Sequence, residues 1–126
     1  MWDIGVDIVE VQRFKRLDYA NHKVFYERIF TPKEIEYCLS FRNAAKHFAS
    51  TFAGKEAVYK AINRWFKLGL KEIEIVRVGG APEVNLMPKK GEKIDKPISK
   101  VNVKVSLSHT ESYAVAFAIA MFEEPK

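Results

Sequence analysis

Hydrophobic residues recur with helical spacing in the first half of the chain and alternate with polar residues in the second half. Alternation from Trp2 to Val6 predicts a short strand. Farther along, an apolar residue recurs at every third position, at Ile8, Val11, Phe14 and Leu17. This spacing predicts an amphipathic helix whose other side carries Arg13 and Arg16.

Three further helices are predicted upstream of Gly69. The first spans Phe25 to Phe30. The second begins at Thr31-Pro32-Lys33-Glu34, because a threonine can cap a helix, proline suits the first helical position, and the glutamate can complete a capping box. The third is one long helix from Ala44 to Phe66.

Alternating apolar residues predict four strands after Gly69, around residues 73–75, 84–86, 101–107 and 113–121. Gly79-Gly80-Ala81-Pro82 predicts a turn between the first two strands, and the lysine-rich residues 87–100 predict an exposed loop. One face of the last strand is entirely alanine, which lets a helix pack closely on it: Ala114, Ala116, Ala118 and Ala120. The predicted fold is α+β, with the long helix packed on a mostly antiparallel sheet.

Composition predicts a single cytoplasmic domain over residues 1–126. An apolar content of 48% excludes a disordered chain, and 126 residues are enough for one core. The longest apolar run, Tyr113 to Phe122, is shorter than the roughly 20 residues of a membrane span. Acidic residues near the N-terminus do not fit a signal peptide, and the single Cys38 fits a reducing compartment.

A formal net charge of +5 indicates a polyanionic partner without identifying it. Nucleic acid, an anionic membrane, a phosphorylated cofactor and an acidic protein all fit this charge. The sequence contains no glycine-rich phosphate loop, no nucleophile elbow and no metal-binding spacing of cysteine or histidine. Any chemistry must therefore come from residues that are separated in the sequence.

The long predicted helix carries polar residues on one arc, including Glu56 and Lys60. Their spacing of four residues favours a solvated ion pair, which is the ordinary interpretation. The functional alternative makes Glu56 a metal ligand or base and turns Lys60 toward a phosphate. Asp7 is open to the same choice, since it can cap the following helix or bind magnesium together with Glu56. His109, after a predicted strand, is either a loop histidine bonded to backbone or a phosphate donor.

Four segments in order resemble the holo-acyl-carrier-protein synthases, the small single-domain 4'-phosphopantetheinyl transferases. They are Ile4-Gly5-Val6-Asp7-Ile8-Val9-Glu10-Val11-Gln12-Arg13, Arg28-Ile29-Phe30-Thr31, Phe52-Ala53-Gly54-Lys55-Glu56-Ala57-Val58-Tyr59-Lys60-Ala61 and Ser106-Leu107-Ser108-His109-Thr110. The resemblance covers almost the whole chain. It implies the 4'-phosphopantetheinyl transferase fold, coenzyme A and an acyl carrier protein as substrates, and a homotrimer with active sites between subunits.

By this resemblance, Asp7 and Glu56 match the carboxylates that hold magnesium on the pyrophosphate of coenzyme A. Lys60 matches the lysine that neutralises or protonates the departing phosphate, and His109 matches the histidine near the 3'-phosphate of the nucleotide. Arg13, with Arg16 beside it, matches the helix face that docks the acidic carrier protein. Catalysis would then rest on Glu56, Lys60 and Asp7, with either Glu56 or a metal-bound water as the base.

The chain departs from the family at Thr51, where an arginine usually helps to hold the nucleotide end of coenzyme A. Arg42 or Lys46, nearby in the sequence, are candidates to replace that arginine. Two other functions are weighed against the transferase. One is a basic nucleic-acid-binding module without catalysis, which leaves Asp7 and Glu56 without a role. The other is an inactive scaffold, which Asp7, Glu56 and Lys60 argue against.

Overall fold

The computed structural model describes residues 1–89 and 98–123. The α-helices are α1 (Gln12–Arg16), α2 (Lys23–Ile29), α3 (Pro32–Leu39) and α4 (Ala44–Ile62). The strands are β1 (Trp2–Glu10), β2 (Ile73–Val78), β3 (Ala81–Leu86), β4 (Val101–His109) and β5 (Tyr113–Phe122). They form two antiparallel sheets, one ordered β1-β5-β4 and the other β2-β3, so the predicted α+β class is confirmed. In this described part, no helix is long and apolar enough to cross a membrane.

Helix α4 packs on the alanine face of β5, as the sequence predicts. The four alanines on that face are at most 1% exposed. Contact with β1 is closer still, since a Cβ atom at Gly5 would collide with the carbonyl oxygen of Ala57 and lie 2.9 Å from the amide nitrogen of Ala61. The absence of a side chain at Gly5 therefore permits the crossing of β1 and α4.

The predicted helix from Ile8 is wrong, because β1 continues to Glu10. Ile8 and Glu10 pair with Val115 and Tyr113 of β5, so backbone bonds to a distant strand decide the conformation here. The helix begins only at Gln12 and has five residues. In this short segment, the apolar residues fit both a helix, in which they recur every third position, and a strand, in which they alternate. Pairing with β5 in the folded protein favours the strand.

Two other predicted boundaries shift. Helix α4 ends at Ile62 rather than Phe66, whose ring turns back to lie 6.4 Å from that of Phe122. Ala81 and Pro82 belong to β3, so the turn consists of Gly79 and Gly80, with φ angles of 59° and 86°. Most of the predicted loop, residues 90–97, lies outside the described residues, and a short 3₁₀ helix covers 98–100.

The predicted capping box is confirmed and leads into a buried ion pair. The Thr31 amide donates to Glu34 Oε1 at 2.8 Å, and the Glu34 amide donates to the Thr31 hydroxyl at 3.3 Å. Lys55 Nζ also donates to Glu34 Oε1, at 2.5 Å, and the Ile75 amide donates to Glu34 Oε2 at 2.7 Å. Burial raises the pKa of Glu34 and lowers that of Lys55, while their attraction opposes both shifts. This ion pair ties α4 to α3 and β2, and so sets the rotation of α4.

The outer face of the β1-β5-β4 sheet is exposed, and it is apolar along β1 and β5, whereas β4 places Asn102, Lys104, Ser106 and Ser108 on it. Its large side chains from β1 and β5, which are 39–66% exposed, are Trp2, Ile4, Val6, Ile8, Tyr113, Val115, Phe117 and Met121. No described element covers this face. A contiguous apolar surface of this kind is typical of a protein contact.

Candidate active site

Strand β1 and helix α4 bring together Asp7, Glu56 and Lys60. Asp7 lies on the side of β1 that faces α4, opposite Ala116 of β5. Lys60 Nζ lies 3.3 Å from Asp7 Oδ1 and donates to the Val6 carbonyl oxygen at 2.9 Å. The Lys60 side chain is 50% exposed and that of Asp7 18% exposed, so solvent reaches both groups.

Glu56 takes no part in the contact between Lys60 and Asp7. Lys60 lies within ion-pair distance of Asp7, and across residues 1–89 and 98–123 Glu56 has neither an ion pair nor a hydrogen bond. Burial raises the pKa of Glu56, and the nearby Asp7 carboxylate raises it further, while Lys60 and Arg13 oppose the shift. The predicted Glu56–Lys60 ion pair is therefore wrong, and Glu56 is a half-buried carboxyl that lacks a bonded partner.

Asp7 does not cap the first helix. It lies within β1, and the residue that caps α1 is Val11, which offers no side-chain hydrogen bond. Asp7 and Glu56 provide two neighbouring carboxylates, the kind of donor set that suits magnesium completed by water and phosphate oxygens. Among the residues described, no three His, Cys, Asp or Glu side chains are grouped to hold a metal ion. This chemistry fits magnesium shared with a phosphorylated substrate.

Arg13 lies at the border of this site. Its guanidinium carbon is 5.3 Å from the centre of the Phe52 ring, and its charge lowers the pKa of Glu56. Arg16 is exposed on the same short helix. A partner that docks on α1 would therefore sit beside the carboxylates.

His109 lies at the end of β4, on the side of the sheet that faces α4, and does not join the carboxylates. Its ring centre is 5.9 Å from that of His47 at the start of α4. In register it is paired with Ala114, and β5 separates it from β1, so roughly 10 Å separates it from the strand that carries Asp7. Within the described chain the His109 side chain forms no hydrogen bond, and the residue belongs to β4, so the interpretation as a loop histidine bonded to backbone is not supported.

The two candidates to replace the family's arginine lie in different settings. Lys46 is ion-paired with Glu111, while Arg42 is exposed in the turn between α3 and α4. Thr51 is fully buried, and its hydroxyl is 3.6 Å from Cys38 Sγ. Position 51 thus faces the contact between α3 and α4.

A group near His109 escaped the sequence analysis. The His47 ring stacks on Phe41 with centres 3.6 Å apart, and Tyr37 lies edge-on to both rings. The Arg77 guanidinium lies over the Tyr37 ring at 4.6 Å. In the sequence, Arg77 is notable only as a single cation in a largely apolar strand. Its contact with Tyr37 depends on how α3 packs against β2, which the sequence does not indicate.

Comparisons with known proteins identify the family of this chain. The model of the 4'-phosphopantetheinyl transferase superfamily matches residues 3–118. A holo-[acyl-carrier-protein] synthase of Caldicellulosiruptor saccharolyticus is 41% identical, over 98% of this chain and 99% of its own.

Two solved structures also resemble the chain. The Chronobacterium ammoniagenes ACPS–CoA complex has a TM-score of 0.77 at 26% identity, covering 98% of this chain and 99% of that one. The Helicobacter pylori holo-[acyl-carrier-protein] synthase in complex with coenzyme A has a TM-score of 0.74 at 29% identity, covering 94% and 99%. The chain belongs to the 4'-phosphopantetheinyl transferase superfamily, and within it to the holo-[acyl-carrier-protein] synthases.

Proposed function

We propose that this protein transfers the 4'-phosphopantetheine group from coenzyme A to a serine of an apo acyl carrier protein. The observation that carries the proposal is the meeting of Asp7, Glu56 and Lys60 where β1 crosses α4. The serine oxygen forms a bond to the β-phosphorus of coenzyme A. The bond from that phosphorus to the bridging oxygen breaks, and 3',5'-ADP leaves with the electron pair.

The three residues have distinct proposed roles. Glu56 takes the serine proton, directly or through a water that it holds, and its raised pKa makes it a stronger base than an ordinary carboxylate. Lys60 stabilises the charge that develops on the departing phosphate. Asp7 and Glu56 would hold magnesium, which when bound offsets the charge of the pyrophosphate.

Mass spectrometry of an apo carrier protein tests the transfer. We expect its mass to rise by one phosphopantetheine group after incubation with this protein, coenzyme A and magnesium. Omission of either coenzyme A or the metal should abolish the change. No mass increase on several carrier proteins, with magnesium or manganese present, would contradict the proposal.

A nucleic-acid-binding role has less support. Aromatic residues at helical spacing, such as Phe48 and Phe52, are buried in the core. Trp2 and Phe117 are exposed on the outer sheet face, but their neighbours on β1 and β5 are largely aliphatic, and the adjacent strand β4 adds a single lysine, Lys104. Such a face suits a protein contact better than a phosphate backbone. We expect no shift of RNA or DNA in a gel titration.

We also propose a homotrimer assembled through the outer sheet face. The exposed apolar side chains of β1 and β5 support it, because burial of this surface would be favourable. We predict a trimer by light scattering at assay concentration. Val115→Lys should shift the protein to monomers and abolish transfer, whereas Val24→Lys on the exposed surface of α2 should leave both unchanged. An active monomer would contradict an active site shared between subunits.

A prediction for carrier docking concerns Arg13 and Arg16. Charged rims mainly increase association rates and respond to salt. We expect Arg13→Glu with Arg16→Glu to raise the KM for the carrier protein severalfold and to change the KM for coenzyme A little. Arg16→Glu alone gives the cleaner test, since Arg13 lies beside Glu56. An equal rise in both KM values would mean that α1 is not the docking face.

The rate should depend on the ionisation of Glu56. The protonated carboxyl can neither take the serine proton nor bind a cation, so kcat/KM should fall as pH falls through the pKa of Glu56. Because that pKa is raised from 4.5, the fall should begin at a higher pH than for an ordinary glutamate. Arg13→Ala removes a positive charge that lowers the pKa of Glu56, so the midpoint of the pH–rate profile should shift to a still higher pH. A pH–rate profile of both proteins measures this, and identical midpoints would be evidence against Glu56 as the titrating group.

A further inference from the structure

Five residues from α3, α4, β2, β4 and the turn between α3 and α4 form a cationic and aromatic cluster about His47. We name this set the His47 cluster, and its members are Tyr37, Phe41, His47, Arg77 and His109. The pKa of His47 is lowered by burial and then by the charges of His109, Arg77 and Lys46. Arg77, Lys46 and His109 thus place positive charge around the His47 ring near the N-terminal end of α4.

Acidic side chains do not balance this charge fully. Glu111 is ion-paired with Lys46. Glu36 lines a groove of about 560 Å³ beside Arg77, together with Lys33, Tyr37 and Ser40, but among the described residues it forms no ion pair with Arg77. The groove beside Arg77 is open to an anion.

Arg77 itself has an unused donor. Its Nη1 atom is buried and has no hydrogen-bond partner within residues 1–89 and 98–123. Stacking on Tyr37 uses the face of the guanidinium and leaves Nη1, whose N–H groups point outward in the plane, without an acceptor among the described residues. A buried charged donor without an acceptor is costly, and a phosphate oxygen would remove that cost.

Arg77 also lies near the position where the family's arginine is missing. Thr51 contacts Cys38, and the charge of Arg77 acts on the same Cys38 thiol. The Arg77 guanidinium from β2 and the Thr51 side chain from α4 thus both lie near Cys38. The predicted substitutes are less suitable, because Lys46 is held by Glu111 and Arg42 is exposed in a turn.

We propose that Arg77, in the same cluster as His47 and His109, binds the 3'-phosphate of coenzyme A in place of the arginine absent from position 51. This inference rests on the proposed function, because it assumes coenzyme A as the substrate. Arg77 would set specificity for the 3'-phosphorylated nucleotide and would take no part in the chemical step.

Binding of 3',5'-ADP and of 5'-AMP by calorimetry tests the inference without turnover. We expect the unmodified protein to prefer 3',5'-ADP, and Arg77→Gln to weaken 3',5'-ADP binding at least about tenfold, as for a lost charged hydrogen bond. Binding of 5'-AMP, which lacks the 3'-phosphate, should hardly change. Arg28→Gln, an exposed arginine on α2, is the matched control and should bind both nucleotides normally.

Kinetics separate this inference from the proposed function. In the transfer assay, Arg77→Gln should raise the KM for coenzyme A but leave the KM for 3'-dephospho-coenzyme A and kcat unchanged. Arg77→Lys, which keeps the charge, provides a second variant if the first does not fold, and it should show a smaller loss. Unchanged 3',5'-ADP binding, or an equal loss for both nucleotides, would overturn the role of Arg77 alone. Failure of the unmodified protein to bind 3',5'-ADP or transfer phosphopantetheine would overturn both proposals.

Discussion

Replacement of Glu56 by glutamine is expected to lower turnover at least about 100-fold, as for the loss of a general base or metal ligand. Glutamine keeps the shape of the side chain but can neither accept the serine proton nor offer a charged oxygen to a cation. Steady-state kinetics with a carrier protein and coenzyme A measure the effect. Glu27→Gln, on the exposed side of α2, is the matched control and should retain normal turnover.

In the Glu56→Gln variant, we expect the free energy of unfolding not to fall with the turnover. The pKa of Glu56 is raised in the folded protein, so its ionised form is disfavoured by folding once the pH exceeds the unfolded value. Loss of that charge at neutral pH should leave the free energy of unfolding unchanged or increase it. Normal turnover, or a large loss of stability with activity retained per folded molecule, would mean that Glu56 is a structural residue.

Gly5→Ala is expected to destabilise the protein by about 3 kcal/mol or more, at the upper end of the cost of overpacking. The new methyl group would collide with the Ala57 carbonyl oxygen, which is backbone and cannot rotate away. Helix α4 would have to move away from β1, which would also separate Glu56 and Lys60 from Asp7. Urea unfolding measures the loss of stability, and we expect transfer activity to fall with it.

Gly69→Ala is the control for this substitution. Gly69 has an ordinary φ of −77°, and its added Cβ would come no closer than 3.3 Å, to a side-chain oxygen of Glu72. Its effect should stay within about 1 kcal/mol, the range of ordinary glycine-to-alanine changes. If Gly5→Ala unfolds at the same urea concentration as the unmodified protein, the close crossing of β1 and α4 does not hold the site together.

Local patterns account for much of the fold. The capping box at Thr31 and Glu34 forms as predicted, because its partners are three residues apart. The alanine face of β5 packs under α4, because side chains of a strand alternate between two faces. The motifs in the sequence are enough to identify Asp7, Glu56 and Lys60 as candidate site residues, and the structure brings them together. Their roles in the reaction remain predictions.

Distant contacts account for the errors. Ile8 has both helical and strand spacing, and pairing with Val115 selects the strand. Lys60 is well spaced for Glu56 on its own helix, but the β1 strand presents Asp7 and the Val6 carbonyl oxygen to it. The spacing of residues along the chain indicates which partners a side chain can reach within its own helix or strand. It does not indicate the partners that another helix or strand brings close in the folded protein.

Residue type, periodicity and motif order are enough to predict the α+β class, the family resemblance and the residues able to carry chemistry. The tertiary structure was needed to show that, among the described residues, Glu56 has no bonded partner and Arg77 lies over Tyr37 with an unused donor. Both outcomes depend on how closely α4 approaches β1 and how α3 lies against β2. Those distances follow from packing among residues far apart in the chain, which no local pattern specifies.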